Sequence, residues 1–324
     1  MKISMTAVAL SAALATSAFA PASAQNYPTA PITLVNPYAA GGPADVLSRT
    51  VIEPMRADLG QEIVLVNKAG GATAIAASYV ATAPKDGYTI LLASASSHIV
   101  TPLLTKVTYD GMKDFTFICM IASVDNALMV RKDLPAKNVQ ELIALAKKDP
   151  GKLTYASVGN GSQPHLAGEL FQQMTGTKLI HVPYKGAAPA AVDMLAGQID
   201  MGILNLPPFI EHIKSGALRG LAVAGLKRND AVPDMPTLDE AGLKGFNVVT
   251  WYGIAAPAGT PQAVVDKLAA AFKKSLENPD TKAKLAKIGF ATFYLPPKEF
   301  VAYLGEDEKR MSNLIKTAHI NAAK

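Results

Sequence analysis

Ile32-Thr33-Leu34-Val35-Asn36-Pro37-Tyr38-Ala39-Ala40-Gly41-Gly42-Pro43-Ala44-Asp45-Val46-Leu47 is the stretch that decides the fold. A β-favouring apolar run meets a glycine pair, and from Ala44 the positions Val46, Leu47, Val51, Met55 and Leu59 recur at helical spacing. Strand, glycine turn and helix in succession are the opening of a βαβ unit. The turn has chemistry of its own, because free backbone N–H groups and the positive end of the helix dipole meet there and can hold an anion.

A second turn of the same kind, Ser157-Val158-Gly159-Asn160-Gly161-Ser162-Gln163-Pro164-His165, follows the apolar run Leu153 to Ala156 and precedes a helix over Leu166 to Thr175. Around the first turn the order is strand, helix, strand (Ile63 to Val66), helix (Ala72 to Ala83), strand (Tyr88 to Ala93). Pro54 predicts a kinked or short first helix. After Asp125 the alternation resumes with strands at Ala127 to Val130, Lys178 to Val182, Ile199 to Leu204 and Leu221 to Ala224, and helices at Val139 to Lys148 and Ala188 to Ala196. A short helix is expected beyond Pro236, then a strand over Val248 to Ile254 and helices over Pro261 to Leu276 and Thr281 to Ile288. The expected class is α/β with two lobes, each a mostly parallel sheet flanked by helices. Residues 25–124 and 249–324 would form a discontinuous first domain and 125–248 the second, with hinges at Val124-Asp125-Asn126 and Val249-Thr250-Trp251.

The beginning of the chain reads as an address. Lys2 precedes an apolar stretch from Met5 to Ala20, and Ala22-Ser23-Ala24 before Gln25 has the spacing of a secretory cleavage site. Residues 1–24 are therefore expected to be a signal peptide cut between Ala24 and Gln25. No later stretch reaches about 18 uninterrupted apolar residues. The single cysteine, Cys119, lies in an apolar run and reads as a buried hydrophobe. Export without an intramolecular disulfide fits a bacterial periplasm. The formal charge of +5 falls to +4 without the leader's lysine, is thinly spread, and gives no nucleic-acid footprint.

Several stretches together resemble one family, the periplasmic substrate-binding receptors of tripartite tricarboxylate transporters, also called Bug receptors. They are Pro37 to Val46, Asn67-Lys68-Ala69-Gly70-Gly71, Pro84-Lys85-Asp86-Gly87-Tyr88, Tyr155-Ala156-Ser157 with the second glycine turn and His165-Leu166-Ala167-Gly168-Glu169, His181-Val182-Pro183-Tyr184-Lys185-Gly186, and Ala255 to Pro261. The resemblance implies a "Venus flytrap" that closes on a small organic carboxylate and presents it to membrane permease subunits, with no cofactor. It departs from the pattern at His98-Ile99-Val100-Thr101-Pro102, where a histidine followed by Ala-Ile-Asn-Pro is usual.

The candidate ligand-binding residues follow from the turns and their neighbours. Tyr38, Ala40, Gly41 and Gly42 belong to the first turn, and Ser157, Gly161, Ser162, Gln163 and His165 to the second. Asp45 has two readings, a cap of its own helix or a cleft group that accepts a hydrogen bond from ligand. Ser162 likewise offers its hydroxyl to a ligand or to the helix, and His165 reads more as a lock on the turn than as a ligand contact. Ser94 and Ser97 follow the third strand, Tyr184 and Asn205 follow strands of the second domain, and Lys185 is either solvated or a neutralising cation. No arginine pair stands in the matched turns, which leans away from citrate.

Other classes are weaker. An exported hydrolase would use Ser162 or Ser157 with His165 or His181, yet no G-x-S-x-G elbow occurs. Gly159-Asn160-Gly161 lacks the third glycine of a dinucleotide turn, and the five histidines show no metal-binding spacing, so no metal is expected. A sensory module signalling to a membrane kinase would share the architecture. The receptor is expected to be monomeric.

Overall fold

The computed structural model describes residues 27–184 and 186–317. The expected leader and its expected cleavage site lie outside the described residues, as does Lys185.

The opening stretch folds as its pattern dictates: β1 (Ile32–Asn36), α1 (Pro43–Leu59), β2 (Ile63–Asn67), α2 (Ala74–Ala81) and β3 (Thr89–Ser94). β1 pairs parallel with both β2 and β3. α1 runs uninterrupted past Pro54, and the Ser275 hydroxyl supports it by donating to Val51 O at 2.6 Å. α2 starts later than its sequence suggests. Gly70, Gly71, Ala72 and Thr73 all have positive φ, so the chain there makes a left-handed turn before the helix begins.

After β3 come a π-helical turn over Ser96–Val100, α3 (Thr101–Leu104) and β4 (Phe115–Arg131). β4 is one strand of 17 residues where two separate apolar runs stood in the sequence. Its residues up to Asp125 pair antiparallel with β9 (Val249–Pro257), and β9 also pairs antiparallel with β3. From Asn126 onward β4 changes partners. It then pairs with β7 (Met201–Asn205) and β8 (Leu218–Val223), both antiparallel.

Between them lie α4 (Val139–Lys148), β5 (Thr154–Ser157), α5 (Gln163–Thr175), β6 (Ile180–Pro183), α6 (Ala187–Leu195) and α7 (Ile210–Lys214), with β5 parallel to both β6 and β7. Asn138 caps α4 by accepting the Glu141 N–H, and Gly176 in the left-handed region ends α5. Beyond Pro236 the chain forms turns in place of the expected helix, because Gly242 and Gly245 both take positive φ. The end of the described chain carries α8 (Gln262–Glu277), α9 (Pro279–Lys287), β10 (Ala291–Leu295) and α10 (Pro297–Thr317).

The strand order is β2-β1-β3-β9-β4-β7-β5-β6. Two apolar clusters cover the faces of the β1 to β3 group: one built on α1 and α8, the other on α2 and α10. Two more cover the β5 to β8 group. This is the mixed α/β, two-lobed architecture. Where β4 changes partners, the Asn126 amide donates to Val248 O at 2.9 Å and so ties together the two strands that run between the groups. Trp251 is fully buried just beyond, its indole N–H donating to Asp307 on α10 at 2.7 Å. Cys119 is buried and free.

Candidate functional site

β1, β2 and β3 run parallel, so the loops at their carboxyl ends share one edge, where open α/β sheets bind ligands. Loop 1 (residues 37–42) leaves β1 and enters α1. Gly41 has φ +77°, and its N–H turns away from solvent to the Asp45 carboxylate at 3.1 Å. Asp45 also accepts Asn67 Nδ2 at 3.0 Å and Arg49 Nε at 3.0 Å. Asn67 Nδ2 in turn bonds Tyr38 O at 3.1 Å. Burial pushes the Asp45 carboxyl up, but the Arg49 guanidinium, the Gly41 N–H and the Asn67 amide outweigh it and hold the group below the usual carboxylate range. Asp45 is thus turned into its own lobe and shapes loop 1. Among the described residues the N–H groups of Ala39, Ala40 and Gly42 make no hydrogen bond within the chain, and Ala39 and Ala40 are exposed. N–H groups left without a partner at a helix start are of the kind that can hold an anion.

Beneath loop 1 the Tyr38 hydroxyl meets Ser94 Oγ at 2.8 Å, Ser94 Oγ meets Ser97 Oγ at 3.3 Å, and Ser97 Oγ meets His98 Nδ1 at 2.8 Å. Ser94 and Ser97 are buried, so their hydroxyls support Tyr38 from below. His98 lies between Phe115 and Phe117, and burial pushes its pKa down to about 3.

Loop 2 (residues 158–162) leaves β5 and enters α5. The Ser162 hydroxyl donates to Gly159 O at 2.6 Å and accepts the His165 N–H, so it caps α5. Gly161 N–H donates to His165 Nδ1 at 3.0 Å, and Gly159 N–H to Ser157 Oγ at 3.1 Å. The Asn160 N–H has no acceptor among the described residues. Gln163 is buried, and neither its amide nitrogen nor its oxygen has a partner among the described residues. Such an amide costs stability, a pattern that recurs at functional sites. A methyl group on Gly161 would lie 3.0 Å from Leu104 Cδ1 and 3.6 Å from Val100 Cγ1, so loop 2 meets the segment that follows β3.

Tyr184 donates its hydroxyl to Asp193 at 2.6 Å, and burial, reinforced by that bond, raises its pKa to about 12. Asn205 ends β7 opposite Asn126, where β4 changes partners. Sequence reasoning read His165 as a lock on the second turn, but it missed Asn67, which the family stretch carried without a role, and the rings that back His165 under loop 2. There His165 and His181 stack at 4.1 Å, and His181 stacks on Tyr155 at 4.8 Å.

Ser157 Oγ lies 2.7 Å from His181 Nε2, the spacing of a nucleophile and its base. Ser157, however, has no exposed surface, and among the described residues no carboxylate is hydrogen-bonded to His181. Two surface cavities open elsewhere. One of about 590 Å³ lies between residues 98–114 and Glu308, the other of about 570 Å³ between residues 112–117, Gln262 and Val301. Neither contains a residue of loop 1 or loop 2. Among the described residues no cluster of three metal-ligating side chains occurs, and no helix is long and apolar enough to cross a membrane.

Residues 47–320 match the family model described as the tripartite tricarboxylate transporter family receptor. Protein BugT of Bordetella pertussis is 32% identical over 299 residues, 92% of each chain. A Rhodopseudomonas palustris protein, Rpa4515, solved with adipate, is 35% identical with a TM-score of 0.82, covering 92% of this chain and all of that one. MatC from the same organism, solved with malate, is 30% identical with a TM-score of 0.77, over 89% of this chain and all of that one.

Proposed function

Because this chain belongs to the tripartite tricarboxylate transporter receptor family, we propose that it captures a small organic carboxylate between its two lobes and hands it to membrane permease subunits of that transporter class. One observation carries the reading. Loops 1 and 2, both at carboxyl ends of parallel strands and both opening helices, present backbone N–H groups that have no acceptor among the described residues. A carboxylate takes charge-assisted hydrogen bonds from such donors, each contributing about 1.5–3 kcal/mol, without a cationic side chain. Two relatives solved with adipate and malate hold ligands of that class.

Residues 25–124 with 249–324 form one lobe in this proposal, and 125–248 the other. They would close about the partner change at Asp125 and Asn126 and the start of β9, bringing loop 2 towards loop 1. Ala39, Ala40 and Gly42 provide the first half of the clamp, and Asn160 and Gln163 the second, whereas Gly41 and Gly161 spend their N–H groups on Asp45 and His165 and give the turns their shape. Tyr38, Asp45, Asn67, Ser94, Ser97, Ser157, Ser162 and His165 hold those halves in shape, and Tyr184 and Asn205 border the second half. Receptors of this family are periplasmic and are not enzymes. The leader ending at Ala24 would send this chain to the same compartment as a monomer.

The test is a thermal-shift screen of refolded mature protein against malate, adipate, citrate and their amides. A ligand at about 100 times its Kd adds roughly 2.7 kcal/mol, enough for several degrees. A rise for one carboxylate and none for its amide is the expected result. A flat panel would overturn the carboxylate assignment.

A further inference from the structure

Loop 2 is held from beneath by imidazoles. A backbone N–H only donates, so the bond from Gly161 to His165 Nδ1 requires that nitrogen to be unprotonated. The proton of the neutral ring then sits on Nε2, 3.8 Å from Glu169 Oε1. That carboxylate oxygen already accepts the Tyr155 hydroxyl at 2.5 Å and Gln172 Nε2 at 3.0 Å. The His181 ring lies against His165 at an interplanar angle of 11°, and its Nε2 contacts Ser157 Oγ, the atom that accepts the Gly159 N–H. Both glycines of the loop are therefore tied to the pair, Gly161 directly and Gly159 through Ser157.

From this geometry we infer that His165, as a neutral ring, is the positioning residue of loop 2, and that its protonation loosens the grip on an anionic ligand. The inference rests on the carboxylate reading of loop 2. A proton on Nδ1 turns an acceptor into a donor that faces the Gly161 N–H, and turning the ring over presents a C–H there instead. Either way Gly161 loses its anchor. Simple charge attraction predicts the opposite sign, because an imidazolium beside the loop would tighten the hold on an anion.

The surroundings favour the neutral ring. On α5 the facing charge is Glu169, and β5 and β6 bring Tyr155 and His181. β7 carries no ionisable residue, and on α10 Asp307 and Arg310 pair with each other. Burial lowers the His165 pKa against the pull of Glu169, and burial with the neighbouring His165 pushes His181 down to about 4. The ring is accordingly an acceptor at neutral pH and gives it up only in acid.

The test compares wild type with His165→Asn and His165→Phe between pH 7 and pH 4, with melting curves confirming the fold at each pH. The Asn oxygen occupies the place of Nδ1 and accepts from Gly161 but does not titrate. Exchange protection of the Gly161 amide is read by NMR without ligand, and affinity is measured with malate and adipate as probes. In wild type, Gly161 protection and probe affinity should each fall about tenfold more than in His165→Asn, the loss of roughly one hydrogen bond. Protonation of the probe itself cancels in that ratio. His165→Phe should be unprotected at both ends of the range. Identical pH profiles for wild type and His165→Asn, or a wild-type affinity that rises in acid relative to His165→Asn, would overturn the inference. If neither probe binds wild type at pH 7, the carboxylate reading fails, while Gly161 exchange in the free protein still decides the role of His165.

Discussion

Asp45→Ala should unmake loop 1 without touching the sheet behind it. The carboxylate is buried and accepts from Gly41 N–H at 3.1 Å and Asn67 Nδ2 at 3.0 Å. Hydrogen bonds to a charged group contribute about 1.5–3 kcal/mol each. Asn67 keeps its second acceptor, Tyr38 O, so its share of the loss is smaller. The Arg49 side chain is 59% exposed, and solvent screening leaves that i,i+4 pair only about 0.3–0.5 kcal/mol. The expected cost is about 2–4 kcal/mol, or a urea midpoint lower by about 1 M. Asp45→Asn keeps one acceptor oxygen and should lose about half as much. The acid dependence has a definite sign. The folded-state pKa is depressed, so the stabilisation is present above the unfolded value of about 3.9 and is lost as pH falls through the folded one. The gap between wild type and Asp45→Ala should accordingly close in acid below about pH 4. Ligand affinity, measured by calorimetry, should weaken about tenfold with no change in the order of ligands preferred. An unchanged urea midpoint, or intact stability with a reordered ligand preference, would refute the reasoning and place Asp45 in the cleft.

Three further outcomes are expected. His98 is buried, with a pKa near 3 against about 6.5 in an unfolded chain, so the unfolded state binds more protons between those values. Stability should then fall with decreasing pH from about 6.5, by up to about 1.4 kcal/mol per unit, and His98→Phe should flatten that slope in urea titrations at a series of pH values. Trp251→Phe removes the indole donor and leaves the buried Asp307 with Arg310, which should cost about 1.5–3 kcal/mol in chemical denaturation. Gly111→Ala places a methyl group against the backbone carbonyl of His98, and thermal unfolding should show about 1–3 kcal/mol of overpacking.

The amino-acid order by itself determined what depends on near neighbours. β1, loop 1 and α1, and β5, loop 2 and α5, were legible because a strand, a glycine turn and a helix start each obey short-range rules of alternation, positive φ and capping. Tertiary structure alone decided which readings of the polar residues hold. Asp45 could cap or face a ligand until Asn67, at the end of the neighbouring strand, fixed its direction. Ser94 and Ser97 looked like cleft hydroxyls, but the aromatic cluster around His98 and the hydroxyl of Tyr38 draw them inward. β4 could not be seen as one strand because its two halves pair with different partners, each with its own pattern of burial. The His165 and His181 stack joins α5 to β6 across 16 residues, and no local rule connects them. Hydrogen bonds and stacking act over a few ångströms in space, whereas sequence patterns act over a few residues along the chain. Only the folded sheet brings the first distance to the second.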